Sequence, residues 1–144
     1  VFAGGDASTG NLFTIQSIEF ATLGTPIPFG DLTDDRTGHT AASSGIRGVF
    51  AGAKAPGVVN TMEFITIATE GNGTDFGDIS TNARAYQGSC ASATRGVNAG
   101  GQTPSKINNI EFVTIASTGD ATDFGDLTHN KSRSGSCSNG HGGL

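Results

Sequence analysis

A phrase of five residues occurs three times along the chain, at a period of about 48 residues. It reads VFAGG from Val1, VFAGA from Val49 and VNAGG from Val97. A fixed period of this length is typical of architectures built from stacked structural units. We therefore predict one repeat domain over residues 1–144, with repeats at approximately 1–48, 49–96 and 97–144.

Each repeat contains four short runs of β-branched, aromatic or small residues, separated by Gly, Asn, Asp and Pro. Runs of this length are too short for stable helices and predict four strands per repeat, in the chain order b-c-d-a. Strand b is the recurring phrase, and strand c contains Ile18-Glu19-Phe20, Met62-Glu63-Phe64 or Ile110-Glu111-Phe112. Strand d begins at Phe29, Phe76 or Phe124. Strand a is the run of small residues around Cys90 or Cys137.

Strand c carries apolar side chains on both faces. Ile110 and Phe112 point one way, and Val113 and Ile115 point the other way. Both faces must then be covered, as in a β-propeller, where four-stranded sheets stack around an axis. The small residues of strand a suit the crowded innermost position of such a ring.

These four blocks resemble the kelch repeat, which forms one four-stranded propeller blade. Arg84, ahead of strand a, and the Gly100-Gly101 pair, which ends strand b, stand at the matching places. The chain departs from the kelch pattern in three respects. Kelch repeats usually have tryptophan at the positions of Phe29, Phe76 and Phe124. Ala53 replaces the second glycine of one pair, and no tyrosine follows the pair in any repeat. The resemblance implies an all-β propeller of kelch-like blades, three per chain.

A second resemblance concerns the phrases RGVFAGA at 47–53 and TDFGDL at 122–127. These phrases look like those of repeat proteins from marine bacteriophages and their metagenomic relatives, which are mostly virion or tail-associated proteins. The resemblance implies a virion or extracellular location and leaves the mechanism open.

Three blades are fewer than the four to eight of natural propellers. An arc of three would leave two apolar faces and two strand edges in water. We therefore predict a homodimer that forms a six-bladed ring, in which strand a around Cys137 pairs with the strand b that starts at Val1. The alternative is that the chain is part of a longer repeat protein.

Composition narrows the range of partners. The chain has 23 glycines, 13 acidic and 8 basic side chains, and a net charge of −5. This balance argues against partners that are nucleic acids or anionic membranes. No run of eighteen apolar residues and no signal segment is present, and we expect a soluble chain. Cys90 and Cys137 recur at equivalent places, which favours a shared packing role over a disulfide.

The candidate metal ligands are scattered. His39, His129, His141 and Tyr86 lie in different loops, and we predict no cofactor, no catalytic residue and no metal site. The spacing of Asp120, Asp123 and Asp126 permits a calcium site. Capping of their own turn backbone is the favoured interpretation of these carboxylates.

Recurrent charged and aromatic side chains are assigned structural roles. A carboxylate buried on strand c needs a partner, and Arg47 and Arg95 are the nearest candidates for an ion pair. The structural set is Glu19, Glu63, Glu111, Arg47, Arg84, Arg95, Phe29, Phe76, Phe124, Asp31, Asp78 and Asp126.

Two functions of different classes fit these features, and neither is enzymatic. The first is a structural or host-recognition module of a phage tail that presents variable b–c loops on a rigid ring. Its partners would be a host-surface glycan or other virion proteins. The second is a lectin-like or small-ligand binder with a repeated pocket between blades. The predicted binding residues of the b–c loops are Asp6, Ser8, Asn11, Lys54, Asn60, Gln102, Lys106 and Asn108.

Overall fold

The structure is a computed structural model that describes residues 1–22, 24–54, 57–80 and 82–138. This part of the chain is all-β, as predicted, and contains no helix. It therefore offers no helical segment with the length and apolarity needed to span a bilayer. His141 lies outside the described residues.

Three antiparallel sheets of three or four strands account for most of the described chain. Sheet I contains β1 (Phe2–Ala7), β2 (Gly10–Ser17) and β3 (Ile27–Asp31). Sheet II contains β4 (Thr40–Ser43), β5 (Arg47–Ala53), β6 (Val59–Thr66) and β7 (Thr74–Asp78). Sheet III contains β8 (Gly88–Ala91), β9 (Arg95–Ala99), β12 (Asn109–Thr114) and β13 (Thr122–Asp126). A short hairpin, β10 (Gln102–Thr103) and β11 (Ser105–Lys106), lies in the connection between β9 and β12.

The strands of each sheet are neighbours in sequence, so each sheet is a meander. Sheets II and III have the spatial order a-b-c-d, whereas sheet I has only b, c and d. A register shift next to the glycine at the end of strand b recurs in sheets I and II, between Ala3 and Gly5 and between Ala51 and Ala53. Gly4 and Gly52 adopt left-handed backbone angles at these bulges, which glycine does without a steric penalty.

The sheets pack face to face along the chain through two apolar clusters. Between sheets I and II the cluster contains Ile15, Phe29, Leu32, Phe50 and Ile65. Between sheets II and III it contains Val49, Ala51, Met62, Phe76, Ile79, Val113 and Ile115. We call these contacts joint I–II and joint II–III. Sheet II is covered on both faces, which agrees with the apolar character of both faces of strand c.

Backbone hydrogen bonds add to each joint. The loop before β7 reaches back to β3, where Gly71 N donates to Phe29 O at 2.9 Å. The loop before β13 reaches back to β7 in the same way, where Gly119 N donates to Phe76 O at 2.6 Å. The two joints therefore repeat in polar as well as apolar contacts.

Strand c of sheet I differs in register from the prediction. Gln16 lies opposite Phe2, in the position that Glu63 takes opposite Phe50 in sheet II and Glu111 takes opposite Asn98 in sheet III. Glu19 is exposed and follows the end of β2. The assignment of Glu19 to a buried strand-c carboxylate was wrong.

Candidate functional site

The two buried glutamates each form an ion pair across a joint. Glu63 pairs with Arg36, and Glu111 Oε2 accepts from Arg84 Nη2 at 2.5 Å. Thr33 N donates to Glu63 at 2.9 Å, and Ser80 N donates to Glu111 at 3.3 Å. Each carboxylate is thus satisfied by an arginine and a backbone N–H from the loop after strand d of the preceding sheet. These pairs stabilise the joints and expose no reactive group.

The prediction that Arg47 and Arg95 form ion pairs with the strand-c glutamates was wrong. Arg47 lies opposite Thr66, and Glu63 lies opposite Phe50, three residues farther along β5. Because side chains alternate between faces, an odd offset places Arg47 and Glu63 on opposite faces of sheet II. Arg47 and Arg95 instead place their guanidinium groups over the rings of Phe64 and Phe112, at 4.4 and 4.5 Å from the ring centroids.

Of the three aspartates considered for calcium, Asp120 contributes to joint II–III, whereas Asp123 Oδ1 accepts from Asn109 Nδ2 at 3.2 Å within sheet III. Asp120 Oδ1 accepts from Asp78 N at 3.0 Å, and Asn72 Oδ1 accepts from Asp31 N at 3.0 Å. These side chains cap the outer strand of the preceding sheet, not their own turn. Among the residues that the structure describes, no three His, Cys, Asp or Glu side chains are grouped closely enough to hold a metal ion. Cys90 and Cys137 are free thiols.

A polar cleft of about 500 Å³ lies where the b–c hairpin of sheet I meets the loops that enter sheet II and sheet III. We call it the Tyr86 cleft. Its walls are Gly5, Asp6, Asn11, Thr37, Gly38, Lys54 and Tyr86. The volume lies within the range of small-molecule sites in proteins.

Tyr86 is held in the cleft by an unusual backbone. Its φ is 61°, in the left-handed region that a tyrosine rarely adopts. Tyr86 N donates to Gly38 O at 2.6 Å, and Tyr86 O accepts from Arg133 N at 2.7 Å. The Arg133 guanidinium lies 4.3 Å from the ring centroid. A side chain at Gly38 would meet the ring at 2.5 Å, so the glycine makes room for it.

The strain at Tyr86 is a local cost that neighbouring contacts must offset. Gly38 and Arg133 occupy the equivalent places in the adjacent repeats and have φ values of 63° and 60°. The backbone is therefore a feature of the repeat, and the tyrosine side chain is specific to this position.

The cleft presents several kinds of hydrogen-bonding group. Asp6 offers a carboxylate, Lys54 an ammonium, Asn11 an amide and Thr37 a hydroxyl. Among the described residues, neither Asp6 nor Lys54 forms an ion pair within 4.0 Å, so both charges remain available to a ligand. Tyr86 adds an apolar ring with a polar end. This combination suits a ligand with many hydroxyl groups and a small apolar face.

The structure brings together only part of the predicted binding set. Asp6, Asn11 and Lys54 line the cleft. Ser8 lies in the exposed β1–β2 turn, Asn60 is in β6, and Gln102 and Lys106 lie in the β10–β11 hairpin. Asn108 Nδ2 donates to Leu127 O at 3.3 Å and so has a role within sheet III.

The sequence prediction did not include Thr37, Gly38 and Tyr86, which also line the cleft. One signal was available, because Tyr86 is the only tyrosine in the chain and stands one period after Gly38. Arg36 was missed as an ion-pair partner, although it stands one period before Arg84.

His39 lies in joint I–II, with its ring in edge contact with Phe50 at a centroid distance of 5.9 Å. Burial of the imidazole, and then the nearby Arg36 charge, lowers the pKa of His39 below its usual 6.5. The neutral ring is thus the favoured form in the folded chain.

The sequence matches no protein-family model, and no curated protein matches it with significance.

Proposed function

We propose that the chain is a non-enzymatic binding and structural module, in which the Tyr86 cleft binds a polar, hydroxyl-rich ligand such as a host-surface glycan. The cleft is the observation that carries the proposal. It gathers a carboxylate, an ammonium, an amide, a hydroxyl and an aromatic ring around one volume. Saccharides match these groups, because their hydroxyls both donate and accept and their C–H faces pack on aromatic rings.

The scaffold of the proposed module is a six-bladed, kelch-like propeller made by two copies of the chain. The face-to-face stacking of three meander sheets supports this assembly, as does the recurrence of the same contacts at both joints. Twofold closure is the commonest arrangement of oligomers, and six blades lie within the natural range. A rigid ring would present two copies of the cleft, which raises the avidity for a surface that carries repeated glycans.

The resemblance to virion repeat proteins supports a phage tail or virion surface as the place of action. The connections between strands b and c also support recognition at variable loops. They span residues 8–9 in sheet I, 54–58 in sheet II and 100–108 in sheet III, and they differ in sequence throughout. Loops on a rigid scaffold are where binding residues concentrate.

A lectin-like binder with one pocket at every joint would need similar side chains at both joints. The positions of Asp6, Asn11 and Gly38 in joint I–II are taken by Lys54, Val58 and Tyr86 in joint II–III. The carboxylate, the amide and the open glycine are all lost. This difference favours one specific cleft per chain over a repeated pocket.

The test is a glycan array probed with the purified chain and with a Tyr86→Gly variant. Glycine accepts the left-handed backbone, so this variant is expected to fold while it removes the ring. We expect the wild-type chain to bind a small set of glycans and the variant to lose at least about tenfold in affinity, the effect of about 1.4 kcal/mol.

Thr118→Ala is the control, because Thr118 is exposed in the connection between β12 and β13, away from the cleft and from the b–c loops. It is expected to bind as the wild type does. Binding of no glycan by the folded wild-type chain would contradict the proposal, as would binding that Tyr86→Gly and Asp6→Asn leave unchanged.

A further inference from the structure

We infer that the second copy docks in the register of the internal joints, with sheet III of each chain against sheet I of the other. This inference rests on the ring of the proposed function and adds the residues and the composition of its seam. The seam is the contact that would follow joints I–II and II–III if the repeat continued from sheet III into a second copy. A twofold ring contains two identical seams.

The apolar residues of a joint are present on both sides of the seam and are uncovered. Phe29 and Phe76 are 6% and 2% exposed inside their joints, whereas the equivalent Phe124 is 59% exposed. On the other side Phe50 is 5% exposed in joint I–II, and the equivalent Phe2 is 60% exposed. The outer face of sheet III and the outer face of sheet I therefore carry the two complementary sides of a joint.

The backbone of sheet III also leaves space for a neighbour. A methyl group on Gly30 or Gly77 would meet the backbone of the next sheet's loop, at 2.2 Å from Gly71 O and 2.6 Å from Gly119 O. The equivalent Gly125 has no atom within 4 Å of that point. The loop around Gly24 of the second copy is the equivalent of those two loops, since Gly24 precedes Phe29 by the same spacing as Gly71 precedes Phe76.

A segment equivalent in sequence to strand a lies beside sheet III. Ser136 Oγ accepts from Ser89 N at 2.8 Å, which places 134–138 next to β8, much as β8 lies next to β4. Among the described residues, the segment 134–138 pairs with no strand b, and β1 pairs with no strand a. Continuing the pairing of β8 with β9 aligns Gly135, Ser136 and Cys137 with Ala3, Phe2 and Val1 of the second copy.

The seam differs from the internal joints in its polar contact. Lys131 takes the place of Arg36, since Gly101 N donates to Lys131 O as Gly5 N donates to Arg36 O. Gln16 takes the place of Glu63. The seam thus joins a lysine to a neutral amide, where each internal joint buries an arginine–glutamate pair.

This difference makes the seam the reversible contact of the ring. Separation of an internal joint has to break a charge-assisted hydrogen-bonded arginine–glutamate pair between two sheets that the chain also connects covalently. Separation of the seam breaks no ion pair and no covalent connection. The ring is therefore expected to open into two folded chains before either chain unfolds.

The register is tested with a cysteine at position 1 and the native Cys137. Opposed residues of an antiparallel pair have Cα atoms about 4.5–5.5 Å apart, within the range of a disulfide. In a Cys90→Ser background, oxidised Val1→Cys protein is expected to form a covalent two-chain species with no higher ladder. Ala3→Cys, which leaves Phe2 in place, is expected to cross-link at least about tenfold more slowly. Position 3 lies opposite Gly135 and diagonal to Cys137, at about 7–8 Å, which is too far for a disulfide.

Three outcomes would overturn the seam. They are the absence of cross-linked dimer with Val1→Cys, equal cross-linking of Ala3→Cys, and a series of cross-linked species larger than the dimer. The Tyr86 cleft lies within one chain, so glycan binding without cross-linking refutes the seam alone. Cross-linking without glycan binding refutes the ligand proposal alone.

The polar contact is tested by restoring its missing charge. Gln16→Glu is expected to lower the dissociation constant of the dimer at least about tenfold, because it gives each seam the carboxylate that the internal joints pair with an arginine. Adding Lys131→Gln to the same chain removes the cation and is expected to cancel the gain. Lys106→Glu, outside the seam, is the control. A dimer unaffected by Gln16→Glu, or a gain that Lys131→Gln leaves intact, would contradict the assignment.

Discussion

Strands β7 and β13 have the same five residues, TDFGD, and opposite surroundings. In β7 the loop of sheet III covers the strand, and Phe76 is buried; in β13 Phe124 lies open. Identical sequence therefore does not determine burial in this chain. The next sheet determines it, and the outer faces of sheets I and III leave the equivalent phenylalanines, Phe2 and Phe124, exposed.

The largest expected effect comes from truncating the two phenylalanines. Phe76→Ala is expected to lower the free energy of unfolding of the single chain by about 3–5 kcal/mol, since it leaves a cavity in joint II–III. Phe124→Ala is expected to change that free energy by less than about 1 kcal/mol, because its side chain is already in water in the single chain. Urea unfolding of the single chain, at protein concentrations low enough to dissociate the proposed dimer, measures both.

The same pair should have the reverse effect on assembly. Phe124→Ala is expected to weaken the dimer in sedimentation equilibrium. The comparison between β7 and β13 breaks down if both substitutions destabilise the single chain equally, or if Phe124→Ala leaves the dimer intact.

A smaller effect is expected at two glycines of these strands. Gly77 and Gly125 have φ values of 134° and 138°, so alanine strains the backbone similarly at both. A methyl group at position 77 would clash with the backbone of Gly119 in the neighbouring loop, whereas one at position 125 would meet no atom. Gly77→Ala should therefore cost the single chain about 1–3 kcal/mol more than Gly125→Ala, the usual cost of overpacking. Thermal unfolding of the two variants measures the difference, and equal melting temperatures would show that the loop contact is unimportant.

The strands were predictable from the sequence because each repeat alternates short apolar runs with turn residues. The fine register was not. Ile18-Glu19-Phe20 resembles Met62-Glu63-Phe64, yet the turn between β1 and β2 places Gln16, not Glu19, opposite Phe2. Turn length and bulge position set pairing register, and local likeness of the strands does not reveal them.

The ion-pair partners were predictable in part. The prediction considered Arg47 and Arg95, whereas the partners are Arg36 and Arg84, which stand one period apart. The repeat period would have been the better guide, because the pairs cross from one sheet to the next. The Tyr86 cleft was harder to predict, since it depends on a tyrosine in a left-handed conformation that the sequence preference of tyrosine argues against.

The smallest expected effect distinguishes the two joints from each other. His39 in joint I–II has Gln87 as its equivalent in joint II–III, and each side chain lies beside the glycine bulge of its joint. Because the pKa of His39 is lowered in the folded chain, the unfolded chain binds the proton more readily. The free energy of unfolding should therefore fall as the pH drops below 6.5, until the pH passes the pKa of His39 in the folded chain.

His39→Gln should remove this contribution and give a flatter profile between pH 7.5 and about 5.5, a window that brackets the usual histidine pKa. Melting temperatures of the two proteins across that range measure it. Parallel profiles would show that His39 does not contribute to the pH dependence of joint I–II.

The most direct test of the account is the mass of the purified chain in solution, measured by light scattering across a dilution series. The stacked sheets with uncovered outer faces predict the mass of two chains at micromolar concentration, falling to one chain on dilution. A single folded chain at every concentration, or an assembly of three or more chains, would contradict the account.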